Sequence, residues 1–291
     1  MTKEEKLKLK QQGYLFELMC QEFKYSGTQR FVAVNEYKGF KVNAGREAQD
    51  GSITSIHTHW MTQYLRAFQW GYFREETMAI NLRLGVMPAA MQAGLSDWKK
   101  KQLIASTKKL LRLVIAGVEA NVKGFKYAYS GCIEFDSLGK HEDAGLHLHA
   151  GLIAHGLNSA DAIKAAFYDI RKAHKEFKDA YLDFVPFDFH GKTKRQADRD
   201  YFTNRGLKIE GKPTYLKLKT DADFEYAIFV FSYHCKKMSK EQLMLEGHQI
   251  LISSIEDDFC KHLPIVKQEL IQQTRLKLKS AANEVRLAKA A

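Results

Sequence analysis

The segment Leu146, His147, Leu148, His149, Ala150 places two imidazoles two residues apart between apolar neighbours. On an extended strand such side chains share a face, so His147 and His149 point one way and Leu146, Leu148 and Ala150 the other. The strand is then half buried, and two imidazoles about 7 Å apart on its polar face can chelate one divalent ion. Upstream, Gly131, Cys132, Ile133, Glu134 and Phe135 form a second strand-like run, joined to the first by the charged, glycine-containing segment Asp136 to Gly145. A hairpin that pairs Phe135 with Leu146 sets Glu134 opposite His147 and Cys132 opposite His149. Glu134, His147 and His149 are therefore the expected ligands. A carboxylate with two imidazoles suits Mg²⁺ or Mn²⁺ completed by water and a substrate phosphate, although bare affinity ranks zinc higher. A slip of one residue in register would bring His141, Glu142 or Asp143 from the turn instead.

Spacing alone is weak support, because eleven histidines in this length give roughly 0.4 such pairs by chance. A second pair, His57 and His59, has neither alternating apolar flanks nor a facing carboxylate. The other chemical signal is Tyr233, followed by Lys236, Lys237 and Lys240. Read as a helix from Asp221 to Glu241, this stretch puts Tyr233 and Lys236 on one face, with Lys237 and Lys240 continuing it. A phenol ionises near pH 10, so adjacent cations and a metal-polarised phosphate are what it needs to attack an ester at neutral pH. Tyr226, two turns earlier, reads as a core residue.

The elements around these residues predict an α+β domain. Strands are expected at Met78 to Leu84, Phe125 to Phe135, Leu146 to Ile153, Tyr181 to Phe187 and Tyr215 to Leu218. Helices fall between them, one capped by Ser96 and running to Val122, the next capped by Asn158 or Ser159 and running to about Phe177. The order βαββαβ is the RRM or ferredoxin-like order and favours a mostly antiparallel sheet with helices packed on it. Residues 1–72, aromatic-rich but without a clear period, are read as an accessory, partly helical region. Residues 73–242 form the domain that carries the site, and 243–291 a helical extension.

A net charge of +11 favours a polyanionic partner, since Lys and Arg displace counterions condensed on phosphates. Between Gly191 and Lys219 stand Lys192, Lys194, Arg195, Arg199, Arg205, Lys208, Lys212, Lys217 and Lys219, interleaved with Tyr201, Phe202 and Tyr215. Cations for a backbone and rings for bases fit a single-strand tracking loop. Lys194, Arg195, Arg199, Arg205, Lys237 and Lys240 are the expected DNA contacts. Gly191, Lys192 and Thr193 mimic the end of a phosphate-binding loop, but Pro186 occupies the required earlier glycine position, so no ATPase is indicated. The four cysteines stand far apart and suit a reducing cytoplasm, and no apolar run approaches a membrane span.

Together, His147, Leu148, His149 and the downstream Tyr233, His234, Cys235, Lys236 resemble the marks of the HUH endonuclease superfamily: a histidine, apolar, histidine triplet on a central strand and a YxxK helix. The resemblance covers roughly Met78 to Glu241, with Ala79 to Leu84 in the place of the family's first motif. Histidines before tyrosine is the order of replication initiators, whereas relaxases usually carry the tyrosine near the N-terminus. YHCKKMSK is similar to the YxxKYxxK form of phage-type initiators, with Lys237 where the second tyrosine would stand. This implies a single-tyrosine rolling-circle initiator of plasmid or filamentous-phage type that nicks single-stranded or hairpin origin DNA. Tyr233 would become 5′-phosphotyrosyl-linked and free a 3′-OH for host DNA polymerase, with unwinding left to a host helicase. A relaxase, a transposase, or an origin-binding regulator without catalysis are the alternatives that share these features.

Overall fold

The computed structural model describes residues 15, 18–19, 21–23, 30–45, 47, 51–74, 76–88, 91–92, 94–135, 145–187, 196–237, 240, 243–244 and 246–254. In chain order the elements are β1 (Phe31–Val32), β2 (Glu36–Tyr37), β3 (Phe40–Lys41), β4 (Ile56–His57), α1 (Thr58–Tyr72), β5 (Thr77–Gly85), α2 (Asp97–Asn121), β6 (Lys126–Phe135) and β7 (Leu146–His155). There follow α3 (Asp161–Ala173), β8 (Tyr181–Phe184), α4 (Gln196–Thr203), β9 (Tyr215–Lys217), α5 (Asp221–Ser232) and β10 (Leu251–Ser254).

The expected βαββαβ order spans β5 to β8. In space these strands lie in the order β10, β6, β7, β5, β8, with β9 also pairing β5, and every pairing is antiparallel. β7 thus separates β5 from β6, the two strands joined through α2, as a split βαβ unit requires. The fold is α+β, a six-stranded antiparallel sheet flanked by helices. β5 and β7 are central and buried along nearly their whole length.

Each sheet face is closed by a different set of helices. α2 begins at Ser96, whose hydroxyl accepts from Lys99 N, and buries Ile104, Thr107, Leu110, Leu111, Val114, Ile115 and Val118 as one stripe. Its Lys100 ammonium lies over the Phe135 ring, on the face that Phe135 shares with Leu146 and Leu148. α3 packs on α2 so closely that a β-carbon on Gly117 would lie 3.2 Å from that of Ala166. The opposite face, which carries the two histidines, is covered by α1 and α5. There a β-carbon on Gly71 of α1 would meet Ile153, and one on Gly151 would meet Phe231 of α5.

Three expectations about segments change. α1, read as part of an accessory region, contributes Trp60, Met61, Tyr64, Leu65, Phe68 and Trp70 to the core. It is buried along nearly its whole length. Residues 251–254, read as the start of a helical extension, form an edge strand on β6, and residues 255–291 lie outside the described residues.

The third change matters most for the site. The helix expected from Asp221 to Glu241 stops at Ser232, residues 233–235 make a single 3-10 turn, and Lys236 is extended. Tertiary pairing captures the chain here. The Ser232 hydroxyl donates to Phe229 O and accepts from Asn43 N, Lys236 bridges Ile56, and Lys237 N donates to Ser55 O. Hydrogen bonds to a segment far away in sequence replace those that would have continued the helix.

Candidate metal centre

The hairpin register is the one expected, with Glu134 opposite His147 and Cys132 opposite His149. The ligand atoms of Glu134, His147 and His149 all lie within 4.8 Å of one another. His147 Nε2 is 3.8 Å and His149 Nδ1 3.6 Å from the same carboxylate oxygen, Glu134 Oε2. His141, Glu142 and Asp143 lie outside the described residues, and no slip of register calls for them.

The tautomers suit ligation. His147 Nδ1 donates to the Gly145 carbonyl at 2.7 Å, which turns Nε2 toward the Glu134 carboxylate. His149 Nδ1 is buried and has no hydrogen-bond partner. A buried nitrogen without a hydrogen-bond partner, close to a carboxylate and a second imidazole, could hold a metal ion. Burial, outweighing the pull of Glu134, pushes His149 down to about 4, so its ring is neutral and able to ligate at pH 7. Burial would raise Glu134, but Lys240 and the two imidazoles hold it at about 2, fully ionised. Burial pushes the neighbouring Cys132 thiol up to about 12, so it is no thiolate ligand at neutral pH.

Lys240 is the residue whose place departs furthest from expectation. Expected on an exposed helical face in contact with DNA, it is 1% exposed, and its ammonium lies 2.5 Å from Glu134 Oε1. Burial alone would lower its pKa, and the carboxylate more than reverses that, so the pair is ionic. The carboxylate of Glu134 is thereby divided, Oε1 to the lysine and Oε2 to the histidines.

The sequence reading does not single out two more residues at the site. His234, the second residue of the tyrosine motif, is buried with its ring centre 5.2 Å from that of His149, and its Nδ1 lies 2.8 Å from the Tyr64 hydroxyl. Burial and the neighbouring His149 hold it well below the ordinary histidine range. Arg83 of β5 stands opposite His149 on the other side of β7, and its guanidinium binds Asp183 through Nη2 at 2.8 Å and Nε at 3.3 Å. Alternation in β5 could have placed Arg83 on the metal face; nothing local could have placed His234.

Tyr233 lies one residue before His234 and is 43% exposed. The helical adjacency expected for Tyr233 and Lys236 is absent, yet the 3-10 turn restores the contact, with Lys236 N donating to Tyr233 O and the Lys236 ammonium 4.6 Å from the phenol ring centre. The same ammonium reaches Asn43 Oδ1 at 3.4 Å. Tyr226 is 1% exposed between Phe187 and Phe202, a core residue as read.

Among the expected DNA contacts, Arg199 on α4 and Lys237 are exposed, and Lys194 and Arg195 lie outside the described residues. Arg205 stacks on Tyr201 at 3.9 Å and pairs with Glu225 at 3.1 Å, which ties it into the fold. Beyond it opens a groove of about 1000 Å³ whose lining includes Lys208, Lys212, Lys217, Lys219 and Tyr215 together with the carboxylates of Glu210 and Asp223. His57 and His59 make no second centre: His57 stacks on Trp60 at 4.3 Å, and among the described residues only Glu134, His147 and His149 form such a ligand group. No described helix is long and apolar enough to cross a membrane.

Comparison of the chain with protein-family models, with curated proteins and with solved structures gives no match.

Proposed function

We propose that this protein is a metal-dependent single-tyrosine endonuclease and strand transferase of HUH type, acting on single-stranded origin DNA as a rolling-circle initiator. The observation that carries the reading is the grouping of Glu134 with His147 and His149, against which His234 packs, the neighbour in the chain of the exposed Tyr233. The donor set is hard and mixed, which suits Mg²⁺ or Mn²⁺. When bound, such an ion supplies Lewis-acid polarisation of the scissile phosphate.

The chain's own residues do the rest. Tyr233 Oη attacks phosphorus, the bond from phosphorus to the 3′ oxygen breaks, the phenol loses its proton and the departing 3′ oxygen gains one. The products are a 5′-phosphotyrosyl enzyme and a free 3′-OH, and the reverse transfer rejoins the strand with no further reactant. Lys236, held over the phenol ring, stabilises negative charge on the phenolate or phosphate. Arg199, Lys237 and the lysine-lined groove engage the DNA backbone, with Tyr215 available for base stacking. Host helicase and polymerase supply unwinding and extension.

Incubation with a labelled pool of single-stranded DNA and Mn²⁺ tests the reading. A denaturant-resistant adduct at Tyr233 is expected. DNA binding with no adduct under any divalent ion would make the chain a silent origin-binding regulator instead.

A further inference from the structure

A metal-ligating imidazole is ordinarily aimed by a hydrogen bond to the ring nitrogen that does not face the ion. His147 has such a brace, its Nδ1 donating to the Gly145 carbonyl. The His149 ring is set differently. Its Nδ1, 3.6 Å from Glu134 Oε2, makes no hydrogen bond, and the ring lies against two other imidazoles, His147 with centres 4.8 Å apart and His234 with centres 5.2 Å apart. His234 is itself held twice: its ring stacks on Phe231, 5.6 Å between centres and 20° between planes, and its Nδ1 is hydrogen-bonded at 2.8 Å to the hydroxyl of Tyr64 in α1. Tyr64, Phe231 and His234 are all buried. The His234 ring cannot turn without breaking that bond or leaving Phe231.

From this geometry we infer that Tyr64 is a positioning residue of the metal centre: through His234 it aims the His149 imidazole, and it fixes the 3-10 turn that carries Tyr233. The second half rests on the DNA-nicking reading, and the first does not. A buried imidazole needs a hydrogen-bond partner in any fold, so the bond by itself shows only that His234 is satisfied. Its place gives it a further consequence. Without the hydroxyl, His234 Nδ1 would be buried with no partner, and the ring would turn to find one. That movement reaches the His149 ring by packing and reaches Tyr233 through the peptide bond the two residues share. The rest of the turn stays attached, because Asn43 N still donates to the Ser232 hydroxyl and Lys237 N to Ser55 O. Removal of one oxygen therefore loosens the aim of the ligand and the nucleophile while the fold around them persists.

Mn²⁺ titration of the full chain, followed by electron paramagnetic resonance of the free ion, tests this on the wild type, Tyr64→Phe and His149→Ala. Each is measured at a temperature where circular dichroism shows it folded. Spin-echo modulation of the bound ion by imidazole nitrogen reports ligation by His149, since His149→Ala removes that share. Tyr64→Phe is expected to bind Mn²⁺ about tenfold more weakly than wild type, with the His149 share of the modulation reduced. A bond that merely satisfied a buried imidazole would cost stability and leave affinity and modulation unchanged, and that result overturns the inference. Should Tyr64→Phe fail to fold, His234→Gln decides: it keeps a partner for the hydroxyl and takes the ring away from His149, so wild-type Mn²⁺ affinity in that variant is equally fatal. With a labelled single-stranded DNA pool and saturating Mn²⁺, Tyr64→Phe should form the adduct about tenfold more slowly at saturating DNA, with KM unchanged. A wild-type rate there overturns the tie to Tyr233. Weakened Mn²⁺ binding in Tyr64→Phe, with no adduct even from wild type, would instead sink the nicking reading and leave the aiming of His149 standing.

Discussion

Phe231 of α5 occupies the space that a side chain at position 151 would need: a β-carbon on Gly151 would lie 2.2 Å from ring atoms of Phe231. Gly151 follows His149 by two residues on the same face of β7, and Phe231 stacks on His234, with ring centres 5.6 Å apart. The close approach of strand and helix therefore sets how the chain leaves α5 over the metal centre. Gly151→Ala should cost about 1–3 kcal/mol by overpacking, because Phe231 is fully buried among Phe68, Tyr64 and Phe187 and cannot swing away. Urea denaturation measures the loss, and Phe231→Leu in the same chain should recover part of it. An additive double mutant would show that the two side chains do not compete for one space.

Removing His149 separates metal binding from folding. Its Nδ1 has no hydrogen-bond partner, so His149→Ala leaves no buried partner group unpaired. The metal-free variant should lose no more than roughly 1–2 kcal/mol. The wild type should be stabilised by about 2.7 kcal/mol when Mn²⁺ reaches a hundred times its dissociation constant, and the variant not at all. Thermal melts with and without Mn²⁺ read both effects. Equal stabilisation of the two proteins would place the ion elsewhere.

Stability should also fall between mildly acid and neutral pH, through Asp221. Burial, reinforced by the Glu225 carboxylate and only partly offset by the Tyr72 hydroxyl, pushes Asp221 up to about 7 from an ordinary 3.8. Between those values the folded chain holds a proton that the unfolded chain has released, so stability drops as pH rises through that window and levels off above it. Asp221→Asn should flatten this part of the profile, matching wild type near pH 4 and exceeding it at pH 8. Melting temperatures across the range check the sign, and a variant less stable than wild type at pH 8 would contradict it.

The parts of the site that were legible in sequence are those set by local periodicity. His147 and His149 share a face because a strand alternates, and Glu134 meets them because the hairpin between two apolar runs has only one register that buries Leu146, Leu148 and Ile133 together. Lys240 was not legible. A lysine in a run of lysines reads as solvated, and only the return of the chain across the sheet reveals the carboxylate that receives it. The end of α5 was hidden for a related reason, since Asn43, 189 residues from Ser232, supplies one of the bonds that stop it. Helix propensity carries no information about such a partner.

The nucleophile is the remaining test, and the structure sharpens it. Three tyrosines come into question: Tyr64, whose hydroxyl meets His234, and Tyr226 and Tyr233, on and just after α5. Tyr64 is wholly buried with its hydroxyl on His234, and burial holds its phenol well above the usual range, so it cannot present an oxygen to a phosphate in solution. Tyr226 is enclosed by aromatic rings. Tyr233 alone of the three is exposed, with a lysine ammonium over its ring. Tyr233→Phe keeps the ring and that contact, so folding and single-strand binding should match wild type while nicking and covalent attachment fall below detection. Tyr226→Phe should nick normally. Lys236→Ala should slow adduct formation by roughly tenfold to a hundredfold, in proportion to lost charge stabilisation, with a smaller effect on DNA affinity. Peptide mass mapping after nuclease trimming identifies the linked residue: DNA on Tyr226, or undiminished nicking by Tyr233→Phe, would mean that another group attacks the phosphate.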